Sequence, residues 1–84
     1  MNIYRISQDE VNGYDTYDSA IVVAPHPEVA ATIHPGDWGR GLFIPQEYAS
    51  GTWTNEPKNV TVELVGTALE GAKVGVLCAS FNAG

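Results

Sequence analysis

Residues 20–36 read Ala-Ile-Val-Val-Ala-Pro-His-Pro-Glu-Val-Ala-Ala-Thr-Ile-His-Pro-Gly, and this stretch decides the fold. Ala20–Ala24 is short, apolar and β-branched at its centre, which predicts a strand. Pro27 suits the first turn of a helix, where its missing N–H would have no partner, and Glu28 suits the positive end of the helix dipole. Pro35-Gly36 ends the helix. The spacing predicts about two helical turns, with Val29, Ala30 and Ile33 as the buried stripe.

Upstream, residues 2–7 alternate, with Tyr4 and Ile6 on one face and Ile3 and Arg5 on the other. They predict a first strand, antiparallel to the second. The polar stretch between them, Gln8 to Asp18, contains the turn dipeptide Asn12-Gly13. Downstream, residues 35–58 form a long irregular segment rich in Gly, Pro, Trp and Tyr, with a short helical turn expected near Pro45–Tyr48. Segments of this kind are usually functional or mobile. Val60-Thr61-Val62-Glu63-Leu64 alternates again, which puts Val60, Val62 and Leu64 toward the core. Ala68–Gly71 reads as a turn. Val74–Phe81 reads as the last strand, with Val74, Val76 and Cys78 packed under the helix. The order β-β-α-loop-β-β predicts a single small acidic α+β domain over residues 1–84. It would be a mainly antiparallel sheet with one short helix on one face. Strand order is left open.

Ten Asp and Glu stand against four Lys and Arg, a formal net charge of −6. Asp9, Glu10, Asp15, Asp18 and Glu28 all precede residue 29, and only Arg5 opposes them there. A field of one sign steers partners of the other sign and repels nucleic acid. No apolar run is long enough for a membrane-spanning helix, and the opening residues do not read as a signal peptide. Cys78 is the only cysteine, so no internal disulfide is possible, and a reducing cytoplasm is expected.

The residues offer no constellation for catalysis. Asp15 and Asp18, with Asp9 and Glu10 nearby, are oxygen-rich but lack the ligand spacing of a calcium loop. His26 and His34 bracket the helix, and zinc would need further ligands that the one distant cysteine does not supply. Cys78 lies in an apolar run and is expected to be a buried, inert thiol. Gly39-Arg40-Gly41 is too short to cradle phosphate. No metal, no cofactor and no enzymatic activity are therefore expected.

The acids and aromatics point instead to binding. Tyr14 and Tyr17 alternate with Asp15 and Asp18, and such a surface can meet an Arg-rich or Lys-rich partner through ion pairs and cation–π contacts. Plain solubility is the competing explanation of the acids. Trp38, Phe43, Tyr48 and Trp53 fall in the long loop. They would either anchor a partner or pin the loop to the domain. The candidate partner-binding residues are thus Asp9, Glu10, Tyr14, Asp15, Tyr17, Asp18, Trp38 and Trp53. Two other functions have less support. Four basic residues are few for a small-ligand or nucleotide binder, and a small hydrolase has no supporting motif.

Gly13-Tyr-Asp-Thr-Tyr-Asp-Ser-Ala20, the pair His34-Pro35 and Ala79-Ser-Phe-Asn-Ala-Gly84 together resemble a family of small phage and prophage proteins. In that family an opening strand leads to the Gly-Tyr-Asp-Thr-Tyr-Asp-Ser segment and then to a short helix ending in His-Pro. The resemblance covers most of the chain outside residues 36–57. Some small acidic proteins of this size and origin are anti-CRISPR proteins, and this chain looks like one acting on a type I system, type I-C by resemblance. The resemblance implies a monomeric, non-enzymatic inhibitor in the bacterial host cytoplasm. Its partner would be a CRISPR surveillance complex, whose target DNA binding it blocks by occupying a basic surface.

Overall fold

The computed structural model describes residues 1–9, 13, 16–36, 53–54 and 56–82. They form strand β1 (Asn2–Ser7), strand β2 (Thr16–Ala24), helix α1 (Pro27–Ala30), a 3₁₀ turn at Pro57–Asn59, strand β3 (Thr61–Thr67) and strand β4 (Gly75–Asn82). All pairings are antiparallel and the sheet order is β3-β1-β2-β4. This is the expected α+β arrangement. The turn expected near Pro45–Tyr48, and Phe43, lie outside the described residues.

β1 sits in the interior of the sheet because it pairs on both sides. Its Tyr4 and Ile6 are buried, as the alternation predicts, and Arg5 faces outward beside Glu63 of β3, Nη1 to Oε1 3.7 Å. The core lies on the Tyr4–Ile6 face. It joins those residues to Ala20, Val22 and Ala24 of β2, Ala30 and Ile33, Val76 of β4, and Trp53. Val29, Val60 and Val62 pack against its margin. β3 and β4 are the two edges, so residues 68–74 carry the chain from one side of the sheet to the other. The Ala68 N–H donates to the Met1 carbonyl at 2.9 Å, tying this connection to the start of β1. Gly71 makes the turn with φ 90°, a conformation that favours glycine.

The helix is shorter than its spacing predicts. The Ala31 N–H reaches the Pro27 carbonyl, but the next two amides, Thr32 and Ile33, reach only three residues back, to Val29 and Ala30. The Thr32 hydroxyl also donates to the Val29 carbonyl at 2.7 Å. Threonine competes for backbone groups in this way, and Pro35 disfavours helical geometry at His34. The buried stripe survives, since Ala30 and Ile33 are in the core and Val29 packs on it.

Two inward assignments are corrected. Leu64 is 67% exposed. It shares the core face with its partner Tyr4, but β3 is an edge. One helical turn, about 6 Å long, covers only part of a four-stranded sheet whose outer strands lie about 14 Å apart. Cys78 is exposed, not buried. The register explains it: Val22 pairs with Val76 and Ile21 with Cys78, so Leu77 is an extra residue in β4. A bulge of one residue reverses the face of everything after it. Val76 stays inward, Leu77 and Cys78 both turn out, and Ala79 returns to the core margin.

Candidate functional site

β2 begins four residues earlier than its apolar run, at Thr16. Thr16 is buried and its hydroxyl donates to the Gly13 carbonyl at 2.8 Å, which closes the approach to the strand. Gly13 has φ 108°, a backbone shape glycine adopts freely. Gln8 extends the β1–β2 contact beyond Ser7. Its backbone N–H donates to the Asp18 carbonyl at 3.4 Å, and its side-chain amide to the Tyr17 carbonyl at 3.0 Å. Asp9, two residues beyond the end of β1, and Asp18 of β2 therefore lie at one end of the sheet, and both are exposed.

Asp18 is itself an extra residue. Tyr17 pairs with Phe81 and Ser19 with Ser80, which leaves Asp18 unmatched in the ladder. Bulges re-aim side chains, and this one lets Tyr17 turn toward the core while Asp18 stays in solvent. Tyr17, an expected partner-binding residue, therefore offers a partner only part of its surface. It is half-buried and packs on the core margin. Its ring meets His34 edge to face, centroids 5.8 Å apart and planes at 82°, and meets the Phe81 ring at 4.8 Å and 58°. Aromatic rings prefer such tilted contacts to flat stacking.

His34 is buried, and its Nδ1 accepts the Gly36 N–H at 2.9 Å. That bond requires an unprotonated Nδ1. Pro35 between them is fully buried. Strand β2, the turn after α1 and strand β4 thus meet around one ring, Tyr17. His34 and Phe81 belong to this cluster and were absent from the candidate residues. The proline after His34 and the strand ending in Phe81 were visible, but their meeting depends on the β2–β4 pairing.

Trp53 takes the core role of the two expected for it, which removes it from the partner-binding residues. It is 3% exposed and part of the core, so it pins its segment to the sheet and offers no surface to a partner. Glu10, Tyr14, Asp15 and Trp38 lie outside the described residues. Among the described residues three of the cationic or basic side chains stand beside an acid: Arg5 by Glu63 at 3.7 Å, Lys58 by Glu56 at 3.1 Å and His26 Nδ1 by Glu28 Oε2 at 3.0 Å. Exposed pairs of this kind add little stability, but they offset positive charge locally. The Glu28 carboxyl is held below its ordinary range, first by its own backbone amide and then by the His26 side chain. Among the described residues no three metal-ligating side chains come together, and no helix is long and apolar enough to cross a membrane.

No family model matches the chain, and no curated protein and no solved structure was found to be similar to it. The end of the sheet combines exposed carboxylates with a packed aromatic base. That arrangement suits contact with a cationic surface.

Proposed function

We propose that this protein is a non-enzymatic inhibitor that binds a basic, nucleic-acid-binding surface. By its sequence resemblance, that surface belongs to a type I CRISPR surveillance complex in the host cytoplasm. The observation that carries the reading is that Asp9 and Asp18 are both exposed at one end of a sheet in a chain of net charge −6. Duplex DNA is held largely by Lys and Arg neutralising phosphates. A folded surface offering carboxylates to the same side chains would compete with DNA without catalysis or cofactor. Its acids would act mainly on association rate and specificity.

The test is a binding titration of the purified protein against a purified type I-C surveillance complex, followed by competition with target duplex DNA. Wild-type protein should bind and exclude DNA. Binding should weaken as salt rises, because exposed charges are screened over about 10 Å at 0.1 M ionic strength. One exposed pair contributes only about 0–1 kcal/mol, so a single reversal is nearly silent. The double variant Asp9→Lys/Asp18→Lys adds repulsion and should weaken binding by about tenfold or more. Salt-insensitive binding that survives the double reversal would exclude the electrostatic mechanism. Failure to bind any protein of the host would favour a small-ligand binder.

A further inference from the structure

β4 pairs with β2 only, among the described strands, and so presents an open edge. Its residues, Gly75-Val-Leu-Cys-Ala-Ser-Phe-Asn82, include no charge and no proline. Edge strands usually carry one or the other, because an open row of N–H and C=O groups recruits another strand. β3, the opposite edge, carries Glu63. The bulge at Leu77 is the protective device that β4 does have. It disturbs the strand at its first half, and residues 78–82 run on beyond it. Leu77 is 56% exposed and Phe81 45%.

We propose that a second copy of this chain covers this edge, β4 pairing antiparallel with its own copy about a two-fold axis near Ser80. Two four-stranded sheets would then join into one. The choice of occupant rests on charge. A two-fold contact sets each residue against its own copy or a near neighbour. On β3 such a contact brings two Glu63 side chains close together, and like charges opposed across strands are destabilising. β4 itself carries no charge, and the acid nearest the axis, Asp18, stands on the neighbouring strand β2 beside Ser19, the partner of Ser80. With the axis at Ser80, Ala79 of one copy stands opposite Phe81 of the other, and both belong to the core face. A basic partner would be drawn to the acids at the sheet's end and would gain nothing from an uncharged strand. The resemblance implies a monomer, and repulsion between two copies of net charge −6 keeps this contact weak and dependent on salt.

That dependence has the opposite sign to partner binding. Screening relieves repulsion between like-charged copies, so the dimer tightens as salt rises while attachment to a basic surface loosens. Sedimentation of the full chain over a range of concentrations, at low and high salt, should show a monomer–dimer equilibrium shifting toward dimer at high salt. Ser80→Glu sets two carboxylates at the axis and should weaken the dimer by about tenfold or more. Ser80→Thr should preserve it, and Glu63→Lys on the other edge, which lowers the net negative charge, should not weaken it. Fluorescence of the buried Trp53 reports whether each variant folds. Should Ser80→Glu unfold, cross-linking of wild-type protein through Cys78 with a flexible bismaleimide decides the matter, a covalent dimer being expected. A monomer at every concentration, indifference of a folded Ser80→Glu variant, loss of the dimer in Glu63→Lys, or no Cys78 cross-link would each overturn the proposal. Because Asp18 lies one strand from the axis, the opposite salt dependence is what separates this contact from attachment to a basic surface.

Discussion

Gly36 stands so close to two side chains that the smallest substitution tests the packing. A Cβ added there would lie 3.1 Å from His34 Nδ1, 3.3 Å from His34 Cε1 and 3.4 Å from the Tyr17 hydroxyl. Gly36→Ala should therefore cost about 1 kcal/mol in urea unfolding, the low end of overpacking penalties. A gain would show instead that the loop relaxes and only the entropy of the unfolded chain changed. Glu28 offers a test in acid. Its folded pKa is depressed, so its contribution to stability is present above the ordinary carboxylate value and is lost as pH falls through the depressed one. An NMR titration should place its midpoint below that of an exposed glutamate. His26→Ala should raise it only in part, since the backbone amide is the larger cause. The acid and its proline-led turn were legible in the sequence. The burial of His34 was not, because it is created by a ring from another strand.

At the scale of elements, β4 shows how one extra residue rearranges a face. Val76 and Leu77 are neighbours of similar hydrophobicity, yet one is in the core and the other in solvent. Val76→Ala should cost about 2 kcal/mol, as deletions of buried methyl groups do. Leu77→Thr should change stability by no more than about 0.5 kcal/mol. Equal costs in thermal or urea unfolding would place the bulge elsewhere. The same register makes Cys78 reactive, so a thiol reagent should label native protein at a rate close to that of the unfolded chain. Alternation in Val74–Phe81 had suggested the reverse. It correctly identified a strand, but a bulge is set by the neighbour across the ladder and leaves no mark in the strand's own pattern. α1 is comparable: its apolar stripe was readable, while its length was decided by Thr32 and Pro35 acting on the backbone.

At the scale of the whole molecule, Trp53 and the acids separate stability from recognition. Trp53→Ala removes a large ring from the core and should cost about 3 kcal/mol or more. That is a large share of the roughly 5–15 kcal/mol that holds a domain together. Far-UV circular dichroism of this variant on heating should show an unfolding midpoint lowered by roughly 10–25 °C. Asp9→Lys/Asp18→Lys should leave the unfolding transition nearly unchanged, because both side chains are exposed. A strong loss of stability in the double reversal would make this end of the sheet a structural element.

By itself the sequence determined β1, the apolar half of β2, the alternating core of β3, the place of α1 and the sign of the charge. Each of these depends on residues a few positions apart, on proline and glycine, or on simple sums. Only the tertiary structure decided the order β3-β1-β2-β4, the extra residues Asp18 and Leu77, the burial of Trp53 and the contact of Tyr17 with His34 and Phe81. These depend on which strand stands opposite which. Two strands of equal pattern become an interior strand and an edge, and two neighbouring side chains become core and surface, through partners distant in the chain.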